Sequence, residues 1–195
     1  MIGCLMIGGR SRRMGTPKSL ILRGKITISL YLSRLMEDLL GTPPVLSGDG
    51  PADNALMGNR KIADRENGVG PLSGLLGLTE AFPDQDLLVL ATDMFAMNRE
   101  ALEWLISEAS GTNRLFIWPR FSTRSCGEPL AAIYRSGCSP TLEAAWQRGI
   151  RGPVGAVPEK ARHQPLIPPH LEQAFASANR PEELETLQQR LCETQ

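Results

Sequence analysis

The sequence has little of what marks several common classes of protein. Its four cysteines include no Cys-x-x-Cys pair, and its two histidines, His163 and His170, lie among prolines without metal-like spacing. A zinc site and a dithiol redox motif are therefore not expected, and both histidines are predicted to lie at the surface. Dispersed cysteines without a secretory signal are typical of a reducing cytoplasm, which is the location that we expect.

The sequence also lacks an excess of charge, a long apolar run and an internal repeat. Lysine and arginine together number 21, as do aspartate and glutamate, so the formal net charge is zero. Nothing in this balance favours binding to nucleic acid or to an acidic membrane surface. The first apolar run, at 2–7, is far too short to span a bilayer. Its length and its 42% of hydrophobic residues predict one globular domain over residues 1–195.

Apolar runs alternate with segments of helical spacing along the chain. The predicted strands are 2–7, 45–46, 61–63, 86–92, 115–118, 128–135 and 153–157. The predicted helices are 26–40, 99–110, 141–148, 181–192 and a helix that begins at Pro71. This alternation predicts a three-layer α/β fold with a mainly parallel sheet. The run at 86–92 is continuous and should form the centre of that sheet.

The segment after the first run combines glycine with positive charge. Residues 8–18 have the sequence Gly-Gly-Arg-Ser-Arg-Arg-Met-Gly-Thr-Pro-Lys. Glycine lets the backbone approach phosphate oxygens and direct its N–H groups at them, while arginine and lysine supply positive charge. The segment therefore predicts a triphosphate-binding loop at the carboxyl end of the first strand. A basic surface turn is the alternative interpretation.

This segment resembles the nucleotide-binding motif of the molybdenum cofactor guanylyltransferases, the molybdopterin-guanine dinucleotide biosynthesis protein A family. The family motif is Gly-Gly-x-Ser-x-Arg-Met-Gly-x-x-Lys. The matching residues are Gly8, Gly9, Ser11, Arg13, Met14, Gly15 and Lys18. The related cytidylyltransferases usually have Ala-Gly at the first two positions, so the pair at 8–9 favours guanine. Pro17 stands where the family usually has aspartate.

Further segments resemble motifs of the same family in the same order. Residues 70–74, Gly-Pro-Leu-Ser-Gly, resemble its Gly-Pro-Leu-x-Gly motif, and Asp64 precedes them as a second acidic residue close to nucleotide or metal. Asp93 stands at the family's Asp-x-Pro metal position, with Phe95 in place of the proline. An aspartate that only caps the next helix is the alternative interpretation, but Asn98 is the better cap.

Two segments later in the chain extend the resemblance. Residues 128–135 resemble the family's Pro-Leu-x-Ala-Leu-Tyr-Arg strand, and 175–184 resemble its closing Asn-x-Asn-Thr-Pro-Glu-Asp-Leu segment. Just before the first of them, the basic segment 119–125 is either a solvated loop or a loop that reaches over the second substrate. The resemblance therefore covers nearly the full chain.

The resemblance implies a Rossmann-like nucleotidyltransferase fold and transfer of GMP from GTP to the terminal phosphate of molybdopterin, with release of pyrophosphate. It implies Mg²⁺ as the cofactor, with Asp93 as its ligand. Lys18 and Arg13 would be the catalytic residues, and Asn179 would contact molybdopterin. The residues expected to hold the nucleotide are Met6, Ile7, Gly8, Gly9, Ser11, Gly15, Lys18, Asp64, Gly70, Pro71, Leu72 and Asp93.

Two other functions stay open. Residues 47–51, Ser-Gly-Asp-Gly-Pro, stand where the family often has an Asn-Arg pair that helps to hold guanine, so a related transferase using CTP or another NTP is one alternative. A non-catalytic adapter that binds the molybdenum cofactor is the other, although Arg13, Lys18, Asp64 and Asp93 together favour an enzyme. Molybdoenzymes or their chaperones are further candidate partners.

Overall fold

A seven-stranded sheet forms the middle of the protein in the computed structural model, which describes residues 1–8 and 15–193, with side chains as far as 189. The strands in these ranges are β1 Ile2–Met6, β2 Leu22–Arg23, β3 Ile26–Thr27, β4 Val45–Ser47, β5 Lys61–Ile62, β6 Leu87–Ala91, β7 Phe116–Ile117, β8 Ala131–Tyr134 and β9 Arg162–His163. The sheet has the order β5-β4-β1-β6-β8-β7-β9, while β2 and β3 pair as a separate antiparallel hairpin.

The sheet is mainly parallel, as predicted. Strand β1 pairs in parallel with β4 and β6, β4 with β5, and β7 with β9, whereas β8 runs antiparallel to both β6 and β7. Strand β6 is the fourth of the seven, which confirms that the apolar run at 86–92 forms the centre of the sheet. Every residue of β6 is buried, so its sequence shows no alternation of polar and apolar side chains.

Helices cover both faces of the sheet. Those in the described ranges are α1 Ile28–Leu40, α2 Pro71–Ala81, α3 Arg99–Ser110, α4 Ser139–Gln147, α5 Pro153–Ala156 and α6 Pro181–Glu193. All five predicted helices are present, with ends within two residues of those predicted. Helix α1 begins later than predicted because Ile26 and Thr27 form β3, and Oγ1 of Thr27 accepts a hydrogen bond from the Leu30 N–H at 3.3 Å. None of these helices is long and apolar enough to cross a membrane.

Each face of the sheet has its own hydrophobic core. On one face, Leu5 of β1 and Leu90 of β6 lie in a core shared with α1, α3 and α6. On the other face, Cys4 of β1 and Val89 of β6 lie in a core shared with α2, α4 and α5. Neighbouring residues of one strand point to opposite faces, so these two cores confirm the predicted three-layer arrangement.

The prediction of a strand at 153–157 is wrong, because Pro153–Ala156 form helix α5. Pro153 is the first residue of this helix, where its fixed φ is suitable and its missing N–H is not needed. The same proline would remove a hydrogen bond from a strand within the sheet. Ala156 and Val157 are buried in the second core, which accounts for the apolar character of the segment.

The carboxyl ends of β1, β4, β5 and β6 lie at one edge of the sheet, because these four strands are parallel to one another. Strand β1 leads into Ile7 and Gly8, β4 into Gly48, β5 into Ala63 and Asp64, and β6 into Thr92 and Asp93. Open α/β sheets bind ligands in the crevice outside the carboxyl ends of their strands.

Candidate active site

A cleft with a volume of about 620 Å³ lies at this edge of the sheet. The predicted nucleotide-binding residues that line it are Met6, Ile7, Gly8, Lys18, Asp64, Gly70, Pro71 and Asp93. They come from loops after three parallel strands, from the start of α2 and from the end of the glycine-rich segment. The structure therefore brings together residues that are up to 87 positions apart in the sequence.

Several other predicted residues are not found in the lining of the cleft. Leu72 is fully buried in the second core, and its backbone N–H donates to the Arg151 carbonyl oxygen at 3.3 Å. Gly15 adopts a φ of 68°, in the left-handed region that suits glycine, but does not line the cleft. Gly9, Ser11, Arg13 and Met14 lie outside the described residues, so their predicted roles stay predictions.

Lys18 and Asp93 form an ion pair at the carboxyl end of the central strand. The Lys18 Nζ lies 3.3 Å from Asp93 Oδ2, and the two side chains are only 18% and 19% exposed. Lys18 also donates a hydrogen bond of 2.7 Å to Asn179 Oδ1, although 161 positions separate the two residues. The three residues predicted to act on phosphates, metal and second substrate are thus in one cluster.

The backbone around Asp93 is fixed by its neighbours. Met94 and Phe95 are buried in the first core, and the Asp93 carbonyl oxygen accepts a hydrogen bond of 3.1 Å from the Ala178 N–H. Asn98, rather than Asp93, caps α3, since its Oδ1 accepts from the Ala101 N–H at 2.9 Å. The carboxylate of Asp93 therefore remains available for the cleft.

The Asp93 carboxylate has the properties of a ligand for a divalent cation. Its Oδ1 atom is buried and has no hydrogen-bond partner in the part of the chain that the structure describes. Within those same residues there is no group of three or more His, Cys, Asp or Glu side chains suited to a metal. Magnesium is usually held by one or two carboxylates together with substrate phosphates and water, so Asp93 fits a metal shared with a nucleotide.

The Asp64 carboxylate follows β5 and lies beside Gly8, Gly48 and Gly74. A Cβ built on Gly48 would lie 3.4 Å from Asp64 Oδ1 and 2.8 Å from the Cα of Gly8, and one built on Gly74 would lie 3.0 Å from the same carboxylate oxygen. Gly48 also has a φ of 94°, which favours glycine. Glycine at position 74 makes room for the carboxylate beside the cleft, and glycine at position 48 allows the close approach to Gly8. Burial raises the pKa of the Asp64 carboxyl, and the negative charge of Asp49 raises it further.

This raised pKa predicts that Asp64→Asn stabilises the protein at pH 7. The folded state disfavours the ionised carboxylate, and asparagine removes that cost. A group with a raised pKa binds more protons in the folded protein than in the unfolded chain, so the free energy of unfolding falls as the pH rises. The stability that Asp64→Asn adds should therefore be largest at high pH and should shrink as the pH is lowered toward about 4. Urea unfolding at several pH values measures the difference in the free energy of unfolding, with Asp84→Asn at an exposed position as the control. An Asp64→Asn variant that is less stable than the native protein at pH 7 would contradict this prediction.

Ser47 and Asp49 line the cleft after β4, although neither residue has a role predicted from the sequence. The Ser47 side chain is buried, and its Oγ has no hydrogen-bond partner among the residues that the structure describes. A buried hydroxyl without a partner is costly, so a ligand in the cleft is a natural partner for it. Their position just after a predicted parallel strand was the signal in the sequence.

Gly50 lies against the backbone of the first loop. A Cβ at this position would overlap the carbonyl oxygen of Ile7. We expect Gly50→Ala to lower the free energy of unfolding by about 1–3 kcal/mol, because the backbone of the loop must move. Gly58→Ala is the matched control, since nothing lies within 4 Å of a Cβ there, and it should change stability by less than about 0.5 kcal/mol. Urea unfolding of both variants tests the prediction, and equal stabilities would contradict it.

A second charged pair lies near Asp93 at the same edge of the sheet. Arg124 and Glu128 form an ion pair, with side chains 52% and 16% exposed, in the connection between β7 and β8. Burial raises the pKa of the Glu128 carboxyl, Arg124 opposes this, and the charge of Asp93 adds to it. The Arg124 guanidinium also lies over the Phe121 ring at 4.5 Å. Segment 119–125 thus borders the Asp93 end of the site, and both interpretations of it stay open.

Most of the chain matches one known family of protein domains. Residues 3–163 match the family model described as the MobA-like NTP transferase domain. The chain belongs to this family. The MobA-like match includes Lys18, Asp64 and Asp93, and ends before Asn179. The resemblance seen in the sequence is confirmed at the level of the family.

Two relatives of this MobA-like chain share one name. A probable molybdenum cofactor guanylyltransferase of Pelotomaculum thermopropionicum is 29% identical over 142 residues, which cover 72% of this chain and 66% of that protein. A protein of the same name from Methanosarcina mazei is 33% identical over 158 residues, which cover 74% of this chain and 68% of that protein. The chain therefore spans about two thirds of the length of each of these relatives.

A solved structure matches the MobA-like chain over its whole length. It is the crystal structure of molybdopterin-guanine dinucleotide biosynthesis protein A from Archaeoglobus fulgidus, with a TM-score of 0.76, 22% identity and 100% coverage of both chains. This likeness shows the fold, and it confirms the predicted Rossmann-like nucleotidyltransferase fold.

Proposed function

We propose that this protein transfers GMP from GTP to the terminal phosphate of molybdopterin, forming the guanine dinucleotide and releasing pyrophosphate. The pairing of Lys18 with Asp93 at the carboxyl end of the central strand carries the proposal, because it puts a cation and a metal-type carboxylate at one end of a nucleotide-sized cleft. The names of the relatives support the choice of substrates. The product's recipients, molybdoenzymes or their chaperones, and the cytoplasmic location stay predictions.

The reaction requires positioning and charge neutralisation from the protein more than covalent chemistry. An oxygen of the molybdopterin phosphate attacks the α-phosphorus of GTP, the bond from that phosphorus to the bridging oxygen breaks, and pyrophosphate leaves. Lys18 would hold the phosphates in line for attack and stabilise the negative charge that develops on them. Arg13, from the same basic segment, is proposed to add positive charge.

The proposed metal is Mg²⁺, held by Asp93 and by the phosphates of GTP. When bound there, it would neutralise phosphate charge and help to orient the reacting groups. Oδ2 of Asp93 faces Lys18, whereas the buried Oδ1 has no hydrogen-bond partner among the described residues and is the oxygen that we propose for the metal.

We propose that the base binds at the end of the cleft after β4 and β5, where the hydrogen-bonding groups suit guanine. Ser47, Asp49 and Asp64 lie together after β4 and β5, and an ionised carboxylate only accepts hydrogen bonds. Guanine presents N1–H and a 2-amino group as donors beside the O6 acceptor, whereas the corresponding edge of cytosine has a single amino donor. We therefore propose that the carboxylates accept from guanine and that the Ser47 hydroxyl donates to O6.

Pyrophosphate release tests this proposal. Purified protein is supplied with Mg²⁺ and molybdopterin, and GTP, CTP and ATP are compared, each with and without the pterin. We expect release with GTP only, and only when molybdopterin is present. Release with CTP would overturn the base assignment but keep the reaction class. Nucleotide or pterin binding without any release would favour a cofactor-binding adapter.

A further inference from the structure

A segment near the end of the described chain contacts both groups at the centre of the site. The Ala178 N–H donates to the backbone oxygen of Asp93 at 3.1 Å, and the next residue, Asn179, accepts from Lys18 Nζ at 2.7 Å. The position of the Lys18 ammonium therefore depends on where the Asn179 side chain is held. This matters because the lysine ammonium is a point charge on a flexible four-carbon stem.

Two contacts hold Asn179 itself. Its backbone N–H donates to Oε2 of Glu183 at 2.7 Å, and its Nδ2 donates to the Ser177 Oγ at 3.4 Å. The first contact fixes the backbone just before α6, and the second directs the amide so that Oδ1 faces Lys18. Glu183 lies in the first turn of α6, whose Leu184 and Leu187 pack in the first core. The packing of α6 against the core thus fixes the helical turn that carries Glu183.

We infer that Glu183 is a positioning residue for Lys18, acting through Asn179. The chain of contacts runs from a carboxylate on a docked helix, through one backbone N–H and one side-chain amide, to the ammonium. When phosphates draw Lys18 away from Asp93, the hydrogen bond to Asn179 helps to keep the ammonium at this end of the cleft. The inference rests on the proposed role of Lys18 in GTP chemistry.

The same first turn offers a matched control. Glu182 carries the same charge one position earlier, and its side chain contacts Arg180 at 3.8 Å rather than Asn179. Carboxylates in a first helical turn stabilise a helix through its dipole, and both glutamates do so alike. An effect of Glu183→Ala that Glu182→Ala lacks cannot come from the charge of the helix terminus.

Kinetics of pyrophosphate release test the inference in five variants. Glu183→Ala should lower kcat about tenfold while the KM for GTP changes little. Residues that orient a group in direct contact with the substrate or metal commonly contribute about 10- to 100-fold to activity. Glu183→Gln keeps an oxygen that can accept from the Asn179 N–H, so it should restore activity, and Glu182→Ala should match the native protein. Combining Glu183→Ala with Asn179→Ala should cost no more than Asn179→Ala alone. Equal losses in Glu182→Ala and Glu183→Ala, or additive losses in the double variant, would overturn the inference.

A second readout does not depend on activity. The rate of Lys18 acetylation by an N-hydroxysuccinimide ester, followed by peptide mass spectrometry, should rise several-fold in Glu183→Ala and stay at the native rate in Glu183→Gln and Glu182→Ala. An unchanged Lys18 rate in Glu183→Ala would overturn the inference even in an active enzyme. If the native protein released no pyrophosphate from any nucleotide, the proposed function would fail, whereas the acetylation pattern would still support or overturn the positioning contact.

Discussion

Replacing Asp93 by asparagine should lower the rate of pyrophosphate release by about 100- to 1,000-fold, the range found when one preorganised electrostatic contact is removed from a transition state. Asparagine has almost the same shape, so Met94 and Phe95 can stay buried and the Ala178 contact to the Asp93 carbonyl oxygen is kept. What is lost is the negative charge beside Lys18 and a carboxylate oxygen, Oδ1, that has no partner within the described residues. An amide is a poor ligand for a divalent cation in comparison.

The measurement is kcat with GTP, molybdopterin and saturating Mg²⁺, together with the concentration of Mg²⁺ that gives half-maximal rate. The variant should require more metal as well as being slower. Asp84→Asn, at an exposed site away from the cleft, is the control and should behave as the native protein. A rate for Asp93→Asn within fivefold of native would mean that this carboxylate does not hold the metal.

Replacing Lys18 by alanine should have an effect of similar size, about 100- to 1,000-fold on kcat. The ammonium lies between Asp93 Oδ2 at 3.3 Å and Asn179 Oδ1 at 2.7 Å, and only 18% of the side chain is exposed. Alanine removes the charge that we assign to transition-state stabilisation and leaves Asp93 without its ion-pair partner. The KM for GTP should change less than kcat, because this charge acts most strongly on the transition state.

Two further variants sharpen the Lys18 prediction. Lys18→Arg keeps the charge but replaces a compact ammonium by a planar guanidinium, so it should recover only part of the rate. Lys25→Ala removes an exposed lysine next to the β2–β3 hairpin and should leave the rate unchanged. A Lys18→Ala rate close to native would contradict the role of Lys18 and, with it, the electrostatic account of the site.

Much of the fold could be predicted because the strongest sequence signals come from burial. Residues 87–91 are apolar throughout because β6 is covered on both faces, and the run at 86–92 that contains them forms the centre of the sheet, as predicted. Strand β9 and the β2–β3 hairpin were not predicted, because strands of two residues are too short to show any periodicity. The segment at 153–157 is apolar because part of it is buried, as a strand within the sheet would be, but Pro153 starts a helix instead.

The candidate site could also be predicted only in part. Gly8, Asp64 and Asp93 could be placed at one edge because each follows a predicted parallel strand. The contact between Lys18 and Asn179 could not be predicted from spacing, since it depends on how a segment 161 positions later docks against the core. The role that we infer for Glu183 could not be predicted either, because it depends on the contact of the Glu183 carboxylate with the Asn179 N–H and so on the position of Asn179.

The most direct test of the account follows the α-phosphate of GTP. The protein is given [α-³²P]GTP, Mg²⁺ and molybdopterin, and the products are separated and weighed by mass spectrometry. We expect the label in a single pterin product whose mass equals molybdopterin plus GMP minus water, with one pyrophosphate released for each molecule formed. Label that stays in GTP, or appears only as free GMP, would contradict guanylyl transfer to molybdopterin.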